Sequence, residues 1–172
     1  MILIYTALLC EAQSFIEYYK LKKVHSTPKI YANDKIVVCI GGIKEKNTLL
    51  SLEYIYTHYT ITKAFNIGIA GCNNNNIQIG NLYCINHKLK GIETLPLITS
   101  NSVVTHSNSL ATSLYDMEGK YFYEKSLEYL NKEDIFIFKI VSDHLSTTIL
   151  EKDTIKNLIS QHKILYSLFK LI

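Results

Sequence analysis

Residues 35–40 (KIVVCI) and 135–141 (IFIFKIV) are apolar on nearly every position and rich in β-branched or aromatic side chains. A strand with one wet face alternates apolar and polar residues, so runs of this kind belong to strands covered on both faces. Residues 2–5 and 65–69 read the same way, residues 79–86 form a further strand, and residues 95–99 a weaker one. Segments of helical period lie between them. Leu8, Leu9, Ala12, Phe15, Ile16 and Tyr19 share one helical face, as do Leu49, Leu50, Leu52, Ile55 and Tyr56, with Asn47 as the expected cap of that second helix. Residues 115–130 and 155–171 complete the helical set. Doubly covered strands separated by helices predict an α/β fold: a three-layer sandwich whose central mixed, mostly parallel sheet is flanked by helices. In such sheets, ligands sit beyond the carboxyl ends of the strands.

A chain of 172 residues, 48% apolar and 19% charged, suits a single domain with one core of ordinary size. The apolar content is too high, and the net charge of +3 too low, for a disordered chain. No internal repeat is present. The opening apolar run, residues 1–10, is much shorter than a membrane span and lacks the marks of a signal peptide. A soluble, cytoplasmic protein with no membrane partner is the expectation. All 18 basic residues are lysines, which removes any bidentate guanidinium clamp on phosphate or carboxylate. Positive charge spread along the chain is no nucleic-acid footprint, and the basic cluster Lys20, Lys22, Lys23 reads as a solvated helix end. Cys10, Cys39, Cys72 and Cys84 lie far apart in or beside apolar stretches, as buried free thiols do. The six histidines form no metal-binding pattern.

Unusual residues cluster at the strand ends. Glu11 begins the helix after the first strand, Gly41-Gly42 ends the second, and Gly71 follows the third. Met117-Glu118 opens a late helix and Ser142-Asp143 ends the last strand. Topology alone allows Glu11, Glu118 and Asp143 to converge on one pocket.

These junctions resemble the purine nucleoside phosphorylase and methylthioadenosine/S-adenosylhomocysteine nucleosidase superfamily. The segment ALLCE at 7–11 resembles the family's A-M-E-E-E turn, with Glu11 on its last glutamate. Gly42-Ile43 and Asn47 match parts of G-I-G-K-V-N, and AGCNNNNIQIG at 70–80 matches A-G-G…V-G-D, with Cys72 in place of a glycine and Asn81 of the aspartate. DMEG at 116–119 and VSD at 141–143 reproduce two more family motifs. The five stand in the family's order, each at a predicted strand–helix junction.

The resemblance implies roles. Asp143 would protonate or hydrogen-bond a purine at N7, while Ala70, Gly71 and Ser142 beside it, with Val103 and Val104, line the base pocket. Met117 would pack on the ribose, Glu118 would accept its 2′ and 3′ hydroxyls, and Glu11 would help to activate an attacking water. No metal or organic cofactor is implied, and a homo-oligomer is; Tyr54, Tyr56 and Tyr59 are candidate interface aromatics or half-buried core. The chemistry suits the roles, because breaking an N-glycosidic bond develops a cationic sugar and an anionic base. Two departures bear on function. Phosphorolytic relatives hold phosphate with arginines, which are absent here, and Lys44 stands where the motif has its second glycine. The chain is also shortened between about residues 86 and 95. The leading expectation is therefore a purine nucleosidase acting on an adenosine-type nucleoside. The alternatives are a phosphate-dependent phosphorylase and a catalytically quiet nucleoside-binding relative.

Overall fold

The computed structural model describes residues 1–168. Strand β1 (Ile2–Thr6) is buried along its whole length and pairs in parallel on both sides, with β4 (Ile36–Ile40) and with β5 (Lys63–Cys72). Strand β9 (Ile135–Asp143) runs parallel to β5 on the other edge of the latter. These four strands form the buried centre of a mixed nine-stranded sheet. On one face, Ala12 and Phe15 of α1 (Leu9–Tyr18), Ile159 of α4 (Lys152–Ser160) and Leu165 of α5 (Lys163–Leu168) pack on Ile4, Val38, Ile67 and Phe138. On the opposite face, Leu52 and Ile55 of α2 (Lys44–His58) and Phe122 of α3 (Gly119–Ser126) pack on Leu3, Val37, Ala64 and Ile137. The expected three-layer α/β sandwich is the observed one.

Several elements differ from their sequence expectation, each for a reason set by tertiary contacts. The lysines at 20, 22 and 23 do not extend a helix: α1 stops at Tyr18, Lys20 turns through φ 51°, and Lys22 and Lys23 open an edge strand. That strand, β2 (Lys22–Ser26), pairs antiparallel with β3 (Lys29–Ala32), which continues onto β4. Asn47 is not the cap of α2. The helix begins three residues earlier, and its first free N–H groups are met from distant chain: Lys44 N donates to Glu118 and Glu45 N to Asn101. Tyr115 and Asp116, expected to open a helix, are strand instead, because β8 (Leu114–Asp116) is held in parallel by β7 (Leu97–Thr99); α3 starts only at Gly119. Strand β5 is longer than expected, so Gly71 lies inside it, whereas the strand expected at 79–86 contracts to β6 (Leu82–Cys84), antiparallel to β9. The single helix expected over 155–171 is broken at Gln161 and His162, where the His162 ring bonds the Gly80 carbonyl; residues 169–171 of that expectation lie outside the described residues.

All four cysteines are buried free thiols. Tyr54, Tyr56 and Tyr59 pack against the α2–α3 core of their own chain, Tyr56 stacking on Tyr129 at 4.4 Å and donating to Ser126. No described helix is long and apolar enough to cross a membrane.

The turn that leads from β4 into α2 depends on one close approach. A Cβ at Gly41 would overlap the ring of Tyr5, which is fully buried and whose hydroxyl donates to Thr48. The ring has no free space to yield into. Gly41→Ala is expected to destabilise the fold by about 1–3 kcal/mol in urea unfolding; an unchanged midpoint would show that the ring can move.

Candidate functional site

Strand β5 changes neighbours along its length. Its first residues pair with β1 as far as Tyr5↔Asn66, and its last two, Gly71 and Cys72, pair with β8. Between these contacts the edge facing away from β9 has no strand beside it. An unpaired N–H buried there would be costly, and a side chain supplies the partner: Ile69 N donates to Glu11 Oε1 at 3.0 Å. The second oxygen, Oε2, accepts the N–H groups of Ala7 (3.0 Å) and Leu8 (2.8 Å). Glu11 is therefore not an exposed first-turn glutamate; it is 3% exposed and spans the fork in the sheet. A Cβ on Gly68 would come within 2.8 Å of Oε1, so glycine there makes room for the carboxylate.

The fork opens into a cleft of about 240 Å³, near the small end of small-molecule sites. Glu11, Glu118 and Asp143 all line it. Ala70, Gly71 and Ser142 form one wall, while Met117, Val103 and Val104 face it from other segments. The structure thus brings to a single cleft all nine residues to which the resemblance gave a role, while Gly41, Gly42 and Asn47 lie outside it. None of residues 86–95 lines it, whereas Ser102, Val103 and Val104 do.

Asp143 is aimed by an irregularity in the sheet. The pairing of β5 with β9 steps from Ala70↔Val141 to Gly71↔Asp143, leaving Ser142 unpaired, and such bulges redirect side chains. Ser142 Oγ donates to Asp143 Oδ2 at 2.6 Å, and Ser146 N to Oδ1 at 2.9 Å, which fixes the carboxylate plane. Glu118 sits at the N-terminus of α3, 7% exposed, and accepts the Lys44 N–H at 3.0 Å. Lys44 has φ 73°, a conformation natural to glycine and strained for lysine, and this turn points its N–H at the glutamate.

Two more charged residues belong to the site, Asp116 in the lining and Lys139 behind it, and neither was given a role from the sequence. Lys139, 2% exposed in the middle of β9, places its ammonium 2.7 Å from Asp116 Oδ2. Asp116 also accepts Thr99 Oγ1 at 2.5 Å and the Gly119 N–H at 2.8 Å. The signal for Lys139 was present: a lone lysine inside IFIFKIV is buried with the strand and must find a counter-charge.

Burial dominates the electrostatics. It pushes the Glu11 carboxyl above the ordinary range, against the pull of three backbone N–H groups and of Lys139. It raises Glu118 to about 7, opposed mainly by the charge of Lys139. For Lys139 burial works downward, and Asp116, Glu118 and Glu11 outweigh it, so the ammonium is held more firmly than usual. Among the described residues, no group of three or more His, Cys, Asp or Glu side chains is placed to hold a metal ion.

No family model matches the chain, and no curated protein matches it in sequence. Solved structures do match, over nearly their whole length. The futalosine hydrolase of Helicobacter pylori superposes with a TM-score of 0.81 at 13% identity, covering 99% of this chain and 97% of that one. A 5′-methylthioadenosine/S-adenosylhomocysteine nucleosidase from Campylobacter jejuni gives 0.76 at 17% identity over 99% and 96%. A variant of the corresponding enzyme from Chlamydia trachomatis, bound to MTA, gives 0.75 at 18% identity over 98% of each chain. The chain therefore has the fold of the nucleoside phosphorylase and nucleosidase superfamily.

Because the folded chain holds the Glu118 proton more tightly than the unfolded one, the stabilisation from this group is complete below about pH 4.5. It is lost as pH rises through about 7. Glu118→Gln should flatten the fall in stability across that window and leave the variant the more stable protein at pH 8, by on the order of 2–3 kcal/mol. Urea unfolding at pH 5 and pH 8 measures both quantities, and parallel pH dependences would contradict the buried, high-pKa carboxyl.

Proposed function

We propose that this protein hydrolyses the N-glycosidic bond of a purine nucleoside of the adenosine type. One observation carries the reading: four carboxylates, Glu11, Asp116, Glu118 and Asp143, line one cleft, and no lysine or histidine among the described residues lines it with them. Such a cleft favours a group that becomes positive during reaction, and the ribosyl group does so as its bond to the base breaks.

Asp143 is assigned as the acid. As the C1′–N9 bond lengthens, its electron pair moves into the base, and a proton passing from Asp143 to N7 keeps the departing purine neutral. Glu118 accepts the 2′ and 3′ hydroxyls and fixes the sugar beside Met117. A water approaching C1′ from the side of Glu11 gives its proton to that carboxylate and its oxygen to the sugar, completing ribose and free base. Ala70, Gly71, Ser142, Val103 and Val104 are assigned to the base pocket.

Phosphorolysis fits the cleft less well. It needs a phosphate against the ribose, and the negative lining offers no cation to hold one; the neighbouring Lys139 is already paired with Asp116. The solved relatives favour the same side: one carries the name of a futalosine hydrolase and others that of methylthioadenosine/adenosylhomocysteine nucleosidases.

Base release from methylthioadenosine, adenosylhomocysteine, futalosine and deoxyadenosine, with and without phosphate, tests the reading. Free base is expected without phosphate. Asp143→Asn should lower kcat by about 10²–10⁴ with the fold retained, and Glu11→Gln by a similar factor. Release that requires phosphate would make the protein a phosphorylase, and silence across the panel from folded protein would make it a binding protein.

A further inference from the structure

Lys139 is the residue in this molecule hardest to explain by packing. It stands in a strand whose neighbours are buried on both faces, and an apolar side chain there would avoid the desolvation cost of an ammonium. Its partners come from two other segments, the junction at 116–118 and α1. Asp116 of β8 makes the 2.7 Å ion pair, Glu118 opens α3, and Glu11 comes from α1. Gly68 of β5 sits opposite Lys139 in register, and a Cβ on it would meet Glu11 Oε1 at 2.8 Å and Lys139 Nζ at 3.5 Å; ammonium and carboxylate share the space above that glycine. Two other ionisable side chains stand near the cluster on β1 and β4. Tyr5 of β1 is tied to Thr48 and pushed far upward by burial, and Cys39 of β4 is pushed up to about 12, so both stay neutral. Asp143, farther along β9, is held by Ser142 and Ser146.

The cluster holds one cation for three carboxylates, and Asp116 takes the direct contact. We propose that Lys139 is a positioning residue: through its ion pair with Asp116 and its charge beside Glu118 and Glu11, it sets the pH at which the cleft carries the negative charge needed to receive a ribosyl cation. Asp116 and Lys139 then act as opposed controls on the same carboxylates. Removing the lysine leaves Glu118 facing two like charges, and ionisation moves to higher pH. Removing the Asp116 charge frees the lysine for Glu118 and Glu11, and ionisation moves to lower pH. This assignment rests on the proposed hydrolytic role of the cleft, but its first test does not need turnover.

The test is carboxyl ¹³C NMR titration of full-length protein labelled at Glu and Asp, with the Glu118 resonance assigned from Glu118→Gln. In Lys139→Met its midpoint should rise by at least about one pH unit, and in Asp116→Asn it should fall by a similar amount. Lys139→Arg, which keeps the charge, should restore the wild-type midpoint. Where the protein releases base from methylthioadenosine, the acid limb of kcat/KM should move in the same directions. A loss of packing alone would lower stability without moving the midpoints in opposite senses. A Glu118 midpoint unmoved in Lys139→Met and Asp116→Asn overturns the proposal. If Lys139→Met does not fold, a midpoint that stays or rises in Asp116→Asn overturns it. Shifted midpoints in a protein that hydrolyses nothing would leave the electrostatic control standing and remove only its catalytic purpose.

Discussion

A strand that trades one neighbour for another leaves a gap in its sheet, and most of this molecule's chemistry follows from how that gap is filled. β5 runs beside β1, then beside β8, and the backbone exposed between them needs a hydrogen-bond acceptor. Glu11 supplies it. One carboxylate therefore closes the sheet, holds the turn at Ala7 and Leu8, and lines the cleft. Because the gap lies at the carboxyl ends of parallel strands, the turns leaving β1, β4 and β9 open onto it, beside the last residues of β5.

Charge is arranged around the same gap with an imbalance. In a buried setting, three carboxylates against one ammonium cannot all ionise easily, and burial raises Glu11 and Glu118 together. The imbalance would be a defect in a purely structural core. It becomes useful where a positive charge appears only transiently, because the environment is already oriented for it and need not reorganise. Asp116 is treated in the opposite way, since three donors, from Thr99, Gly119 and Lys139, converge on it and satisfy its charge.

The central layers were legible in the sequence because burial on both faces writes itself as unbroken apolar runs, and Ile36–Ile40 and Ile135–Asp143 fall where such runs stand. What escaped was decided by distant partners. The β2–β3 hairpin looks like charged helix end until β4 offers an edge, and β8 becomes a strand only because β7 lies beside it. α2 carries its caps on other segments, Glu118 and Asn101, so no local residue marks its start. The site residues are legible through motifs at strand ends. Asp116 and Lys139 are harder to see, because one stands inside a tetrapeptide whose glutamate draws the eye and the other inside a run that reads as hydrophobic.

The hairpin has one more consequence. A sheet of this size ends in edges, and an exposed edge strand is a template on which another chain can add. Here one outer edge is β2, which carries Lys22 and Lys23, and its pair β3 opens with Lys29. A second copy added in parallel and in register would stack its own lysines on these, whereas an antiparallel copy centred on Val24 would set them opposite His25 and Ser26. The same residues that look like a stray basic cluster in the sequence thus place positive charge along this edge, which disfavours the parallel, in-register addition that fibres repeat.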